Sequence, residues 1–275
     1  MRIAKSSTAG GRRRRRRPVL AAGVSALSLL LLATGATHTS ALRARTAGHG
    51  HAAHQPGKPH VPHPTPEASR VGALFNGSLS DGHFCTASVV DSPGGSLIIT
   101  AAHCLDDSAT SLVFAPGYRD GQAPYGVWQL TGAYVDPSWT DHSDEDADVA
   151  FATVAPQDGK HLEDVVGGNK LGIDPGDARK VRLTGYPDSL DEPLSCTNTA
   201  SRYGSSQLRI ACSSYSSGTS GSPWLTDPDH TTHTSTVIGV IGGHQQGGDT
   251  DDVSYSSYFG PAVAALYHRA TAAGG

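Results

Sequence analysis

From residue 88 onward the chain breaks its apolar residues into short runs separated by turn formers. These are Ser88–Val90, Leu97–Ala101, Ser111–Phe114, Val127–Leu130, Val149–Val154, Val181–Thr184, Gln207–Ala211, Thr236–Ile241 and Ser254–Phe259. None is long enough for a buried helix, and most are rich in Val, Ile and Thr, so they read as strands. The fold class is therefore all-β, sandwich or barrel. One helix is expected near the end, over Pro261 to Ala270, with Pro261 suited to a first helical turn. The roughly 200 residues involved suffice for a substantial core.

The first 69 residues do not follow this pattern. Arg12–Arg17 form a basic stretch, Val19–Ala36 an apolar one that includes Leu29–Leu32, and small residues follow. Residues 1–36 thus read as a signal peptide cleaved near Ala36 or Ala41. The alternative is an uncleaved anchor, but the stretch is short for a span and carries Gly23, Ser25 and Ser28. The arginines raise twin-arginine export without deciding it. Residues 37–69 read as a linker or propeptide. Pro56, Pro59, Pro62, Pro64 and Pro66 favour an extended spacer. His49, His51, His54, His60 and His63 are potential metal ligands, but a solvated segment is the simpler reading.

Ten of the 21 Lys and Arg residues lie in the first 45 positions, which hold none of the 25 Asp and Glu. The remainder carries 11 basic against 25 acidic residues, a formal charge of −14. Such a chain is expected to bind neither nucleic acid nor anionic membrane, and to keep no stable membrane association once its leader is removed.

Three segments carry chemistry. Gly218-Thr219-Ser220-Gly221-Ser222-Pro223 sets a serine between glycines, which let the backbone bend and a substrate carbonyl approach. A serine hydroxyl needs a base, and the base needs a group to orient it. His103 follows the apolar run Leu97–Ala102 and should emerge at a strand end, braced by Cys104. Asp148 directly precedes Val149-Ala150-Phe151, so its side chain can turn inward. Its competitors Asp141, Asp144, Glu145 and Asp146 read as a solvated loop.

Ala-Ala-His-Cys, then Asp-Val-Ala, then Gly-x-Ser-Gly-Ser-Pro, in that order, resembles a chymotrypsin-fold serine protease over about residues 70 to 270. The resemblance implies two six-stranded antiparallel β-barrels and a C-terminal helix. Residues 70–160 would form the first barrel with His103 and Asp148. Residues 161–275 would form the second with Ser220. It further implies secreted, extracellular peptide-bond hydrolysis through an acyl-enzyme, with catalytic His103, Asp148 and Ser220. The N–H groups of Gly218 and Ser220 would form an oxyanion hole. Protein or peptide substrates, a monomer, no cofactor and no metal are expected.

Four cysteines in an exported chain suggest two disulfides, with three pairings possible. Cys85–Cys104 with Cys196–Cys212 is favoured, the first resembling the family's bridge beside the catalytic His. Thr219 stands where pancreatic-type zymogens have an Asp, so activation by insertion of a new N-terminus is not implied. Arg70-Val71-Gly72 still looks like a possible mature start. Neutral residues before the serine are similar to the bacterial glutamyl-endopeptidase-like branch.

Specificity does not carry over. The pocket candidates are Ser214, Tyr215, Ile241, Gly242, Gly243 and His244. Ile241 stands where glutamate-specific relatives have a His, with His244 three residues on. Ser214 aligns with the trypsin-like pocket base and argues against Arg or Lys preference. The Ser that usually supports the triad Asp aligns with Gly242, so Asp148 is expected to lack one hydrogen bond. The alternative function is a catalytically weak protease-fold binding protein, or a protease limited to self-processing.

Overall fold

The computed structural model describes residues 55–274, apart from 106–108 and 230. The leader, the mature-end positions near Ala36 and Ala41, and His49, His51 and His54 lie outside the described residues. Six strands form the first half: β1 Val71–Asn76, β2 His83–Val90, β3 Leu97–Thr100, β4 Leu112–Pro116, β5 Trp128–Val135 and β6 Ala150–Val154. They pair in the order β1-β2-β3-β6-β5-β4 and close into a barrel, β4 returning to β1.

The apolar run of β3 is continuous because both of its faces are covered. Ile98 points into the barrel with Leu74, Ala87, Phe114 and Trp128. Leu97 and Ile99 point outward into a second cluster with Tyr186, Leu225, Val240, Phe259 and Leu266. That outer cluster draws on both halves of the chain. A strand buried on two faces loses the period-2 alternation of a half-exposed one.

The second half is a seven-stranded sheet. Its strands are β7 Lys170–Leu171, β8 Ala178–Gly185, β9 Leu194–Tyr203, β10 Gln207–Ala211, β11 Pro223–Asp229, β12 Thr234–Val240 and β13 Val253–Ser257. Their order is β13-β10-β9-β8-β11-β12-β7. Six antiparallel strands, β8 to β13, match the number expected here, and the two-residue β7 adds a parallel edge to β12. The far edges still approach, since Gly242 N–H donates to Tyr255 O at 3.1 Å and Val240 N–H to Ser256 Oγ at 3.0 Å. Strands β1, β7, β9 and β11 match none of the apolar runs. β9 reads Cys-Thr-Asn-Thr-Ala-Ser-Arg-Tyr and exists because it ladders with β8 from Ala178 to Gly185.

Three α-helices complete the described residues: α1 Pro137–His142, α2 Leu162–Val166 and α3 Pro261–Ala272. α3 has Pro261 in its first turn and buries Val263, Leu266 and Ala270, spaced along one face. Helix α2 lies between the halves in sequence, yet Leu162 and Val166 pack into the first barrel's core. Among the described residues no helix is long and apolar enough to cross a membrane.

Residues 55–70 are not a free spacer. Gly57 N–H donates to Ala211 O at 2.9 Å, and His60 exchanges bonds with Ser195, N–H to O at 2.9 Å and O from N–H at 2.8 Å. Prolines prevent a full ladder, so only the residues that keep an N–H pair. Gly57 passes so close to the second disulfide that a Cβ there would lie 2.5 Å from Cys196 Sγ. Arg119 donates to Pro62 O at 2.7 Å, and Glu67 pairs with Arg182 and accepts from Ser235 Oγ at 2.6 Å. Arg70 is buried and donates through Nε to Val166 O at 3.1 Å. The Arg70–Val71 bond thus lies inside the fold at the start of β1.

Candidate active site

Strand register brings the histidine and the aspartate together. β3 and β6 are antiparallel with Thr100 opposite Ala150. The chain leaving β3 towards His103 and the chain entering β6 from Asp148 therefore lie side by side. His103 sits in a single helical turn, Ala102–Cys104, and Cys104 is bonded to Cys85 on β2 with Cα atoms 6.2 Å apart. Asp148 is fully buried. Its Oδ1 accepts from His103 N–H at 3.0 Å, and its Oδ2 lies 2.8 Å from His103 Nδ1. A carboxylate at Nδ1 holds the proton there and leaves Nε2 as the basic nitrogen.

Asp148 does not lack a partner. Gly243 N–H donates to Oδ2 at 2.9 Å. A Cβ at Gly242 would lie 2.8 Å from Asp148 O and 3.0 Å from Oδ2. No side chain fits at 242, and the next backbone N–H supplies the bond that was expected to be missing.

A second register brings in the serine. Pro223 at the start of β11 pairs with Val240 at the end of β12. Ser220 before β11 thus neighbours Gly242 and Gly243 after β12. The turn is closed locally. Thr219 donates through N and Oγ1 to Ser216 O at 3.2 and 2.6 Å, and Ser222 through N and Oγ to Thr219 O at 3.0 and 2.6 Å. Thr219 is buried in these bonds, where an ion pair would otherwise sit. Gly218 has φ +88°, and a Cβ on it would lie 2.7 Å from Tyr186 O, so both conformation and space demand glycine.

Thr86 on β2, a residue the motifs do not mark, binds this turn to the first barrel. Its N–H donates to Ser220 O at 2.7 Å and its Oγ1 to Gly218 O at 3.0 Å, while Tyr186 N–H donates to Oγ1 at 2.9 Å. The N–H groups of Thr219, Gly221 and Ser222 all donate within the protein, whereas those of Gly218 and Ser220 donate to no described residue. No hydrogen bond joins Ser220 Oγ to another described residue. His103 and Ser220 line the same cavity with Gly218, and such contacts commonly tighten only with substrate bound.

That cavity has a volume of about 470 Å³. Of the pocket candidates, Tyr215 and Ile241 line it; Ser214, Gly242, Gly243 and His244 do not. Tyr215 turns its hydroxyl into the core, donating to Leu183 O at 2.8 Å, and burial holds its ionisation well above the ordinary range. His244 faces Glu145 and is ringed by Tyr203 and Tyr255. The residues missed are Gln245, Gln246, Asp249 and Asp251, which line the cavity from the loop after β12. Their polar, glycine-flanked sequence reads as ordinary loop. Cys196 is bonded to Cys212, the latter at the end of β10. The one His/Cys cluster with metal-ligand proximity among the described residues is Cys85, His103 and Cys104, whose sulfurs form the first disulfide.

A closed β-barrel joined to a second β-sheet, with a His–Asp pair and a serine turn meeting between them, is how one large class of peptidases is built. The chain belongs to the trypsin-like peptidase family: that domain model matches residues 85–240, more than half of the chain. Among solved structures it is similar to the protease Anisep from Arthrobacter nicotinovorans, at 24% identity and TM-score 0.64, over 78% of this chain and 99% of that one. It is similar to the thermostable serine protease AL20 from an extremophilic microorganism, at 26% identity and TM-score 0.65, over 76% and 99%. A Glu endopeptidase solved in complex with MPD shares the fold at 18% identity and TM-score 0.62, over 79% and 98%. No curated protein matches the chain.

Proposed function

We propose that this chain is a secreted serine endopeptidase that hydrolyses peptide bonds through His103, Asp148 and Ser220. The observation that carries the reading is the buried Asp148 bonded to His103, which shares one cavity with Ser220, beside two backbone N–H groups that donate to no described residue. Ser220 Oγ attacks the carbonyl carbon while His103 Nε2 takes its proton. The N–H groups of Gly218 and Ser220 receive the oxyanion, each worth a few kcal/mol in such sites. The C–N bond then breaks as His103 protonates the leaving amine. Water attacks the ester, gives its proton to His103, and the proton returns to Ser220.

The two disulfides fit an oxidising destination outside the cytoplasm. The Glu preference named for one structural neighbour does not transfer. The cavity carries Asp249 and Asp251 and no Lys or Arg, so an acidic substrate side chain would meet like charge. Casein hydrolysis by the oxidised protein, lost in Ser220→Ala, tests the reading. A peptide library should show Glu and Asp depleted immediately before the cleaved bond. If wild type cleaves no protein or peptide, the reading fails.

A further inference from the structure

Glu145 lies in the acidic stretch that reads as a solvated loop, three residues before Asp148. Its carboxylate reaches across to the other half of the molecule. Oε1 accepts from Gln245 N–H at 2.8 Å, and Oε2 lies 3.1 Å from His244 Nδ1. The turn that carries it, Glu145–Ala147, is itself fixed to the second sheet. Gln207 Nε2 donates to Glu145 O at 3.1 Å and to Asp146 Oδ1 at 2.6 Å, and Ser257 Oγ donates to Glu145 O at 3.0 Å. Gln207 Oε1 in turn accepts from His244 N–H at 3.3 Å.

The loop so held is unusual backbone. Gly243, Gln245, Gln246, Gly247 and Gly248 have φ of +76°, +54°, +52°, +112° and +125°. A residue with a Cβ in the left-handed region costs roughly 1–2 kcal/mol, so Gln245 and Gln246 stay there only under outside constraint. His244 is a peg: its ring centroid is 5.2 Å from Tyr203 and 4.9 Å from Tyr255, and it does not reach the cavity. Gln245 to Gly248 do line the cavity, with His103 and Ser220. Gly243, two residues before this loop's first glutamine, also donates to Asp148.

We propose that Glu145 is a positioning residue: it clamps the strained wall Gln245–Gly248 of the substrate cavity to the turn that carries Asp148, and so sets where a substrate side chain is held relative to the reacting serine. The proposal rests on the peptidase reading above for its consequence in turnover, and on geometry alone for the clamp. Without the carboxylate the wall relaxes towards ordinary backbone. Substrate side chains then bind less well, while Asp148 keeps its bonds to His103.

The test compares wild type, Glu145→Ala and Glu145→Gln by two readouts. The first is amide hydrogen exchange over residues 243–249, which needs no activity. Loss of a hydrogen bond to a charged acceptor should speed exchange at Gln245 about tenfold or more in Glu145→Ala. Glu145→Gln keeps an acceptor for Gln245 N–H and an amide partner for His244, and should stay near wild type. The second is kinetics on an extended peptide: KM should rise about tenfold in Glu145→Ala with kcat within about threefold, the pattern of lost binding rather than lost transition-state contact. Unchanged exchange in Glu145→Ala would overturn the clamp. A fall in kcat with KM unchanged would overturn its role at the cavity wall. If wild type cleaves nothing, the peptidase reading fails, while the exchange result still decides the clamp.

Discussion

Thr86 makes the most demanding use of one side chain in this fold, and Thr86→Val should expose it. The residue is fully buried, and its Oγ1 is both donor to Gly218 O (3.0 Å) and acceptor from Tyr186 N–H (2.9 Å). Valine keeps the shape and removes both bonds. Two buried backbone groups lose their partner, each at about 1–3 kcal/mol, so the loss should be about 2–6 kcal/mol in total. Gly218 would also lose one of the contacts that fix the serine turn. Full removal of an oxyanion donor costs about 10²–10³ in kcat, and a displaced donor should cost about tenfold. Urea unfolding with an unchanged m-value measures the first, and steady-state cleavage the second. Thr86→Ser keeps the hydroxyl and should recover most of both. If Thr86→Val lies within about 0.5 kcal/mol of wild type and keeps its kcat, the claim that this hydroxyl joins the serine turn to the barrel is wrong.

Other outcomes follow from the same geometry. Asp148→Asn should keep the fold and lower kcat on the order of 10⁴-fold, because an amide no longer enforces the Nδ1–H tautomer of His103; steady-state kinetics with circular dichroism will show it. Replacing Cys85 and Cys104 together by Ala opens a loop of 19 residues and should cost about 3 kcal/mol in urea unfolding. Glu163 titrates unusually: burial, with Asp91 beside it, outweighs its bonds from Ser92 and pushes it up to about 7. Its raised value means that folding favours the protonated form, so its contribution is present below about pH 4.5 and is lost as pH rises through about 7. Glu163→Gln should therefore raise the unfolding free energy relative to wild type by more at pH 8 than at pH 5, on the order of 1 kcal/mol after solvent screening, as read by urea unfolding at the two pH values.

The groups proposed to react stand out in the sequence because each is announced by its own neighbours. His103 ends an apolar strand, Asp148 starts another, and Ser220 sits between glycines with positive φ in Gly218 and Gly221. What supports them was not legible, because the partners are far apart in sequence. Thr86 lies 132 residues from Gly218, and Glu145 lies 100 from Gln245. Nothing local distinguishes Glu145 from its acidic neighbours, or Gln207 from any strand glutamine. At residues 55–70 the proline-rich composition predicts extended backbone but is silent on whether a sheet edge receives it. The missing hydrogen bond to Asp148 was misjudged because side chains were counted and the backbone N–H of Gly243 was not.

The central claim is that Ser220 is the group that forms the covalent intermediate. Labelling the mature, oxidised protein with a fluorophosphonate and mapping the adduct by peptide mass spectrometry tests it most directly. A single adduct on Ser220 is expected, formed slowly or not at all in His103→Ala and absent in Ser220→Ala. An adduct on another serine, or labelling of Ser220 at the same rate after His103 is removed, would contradict it.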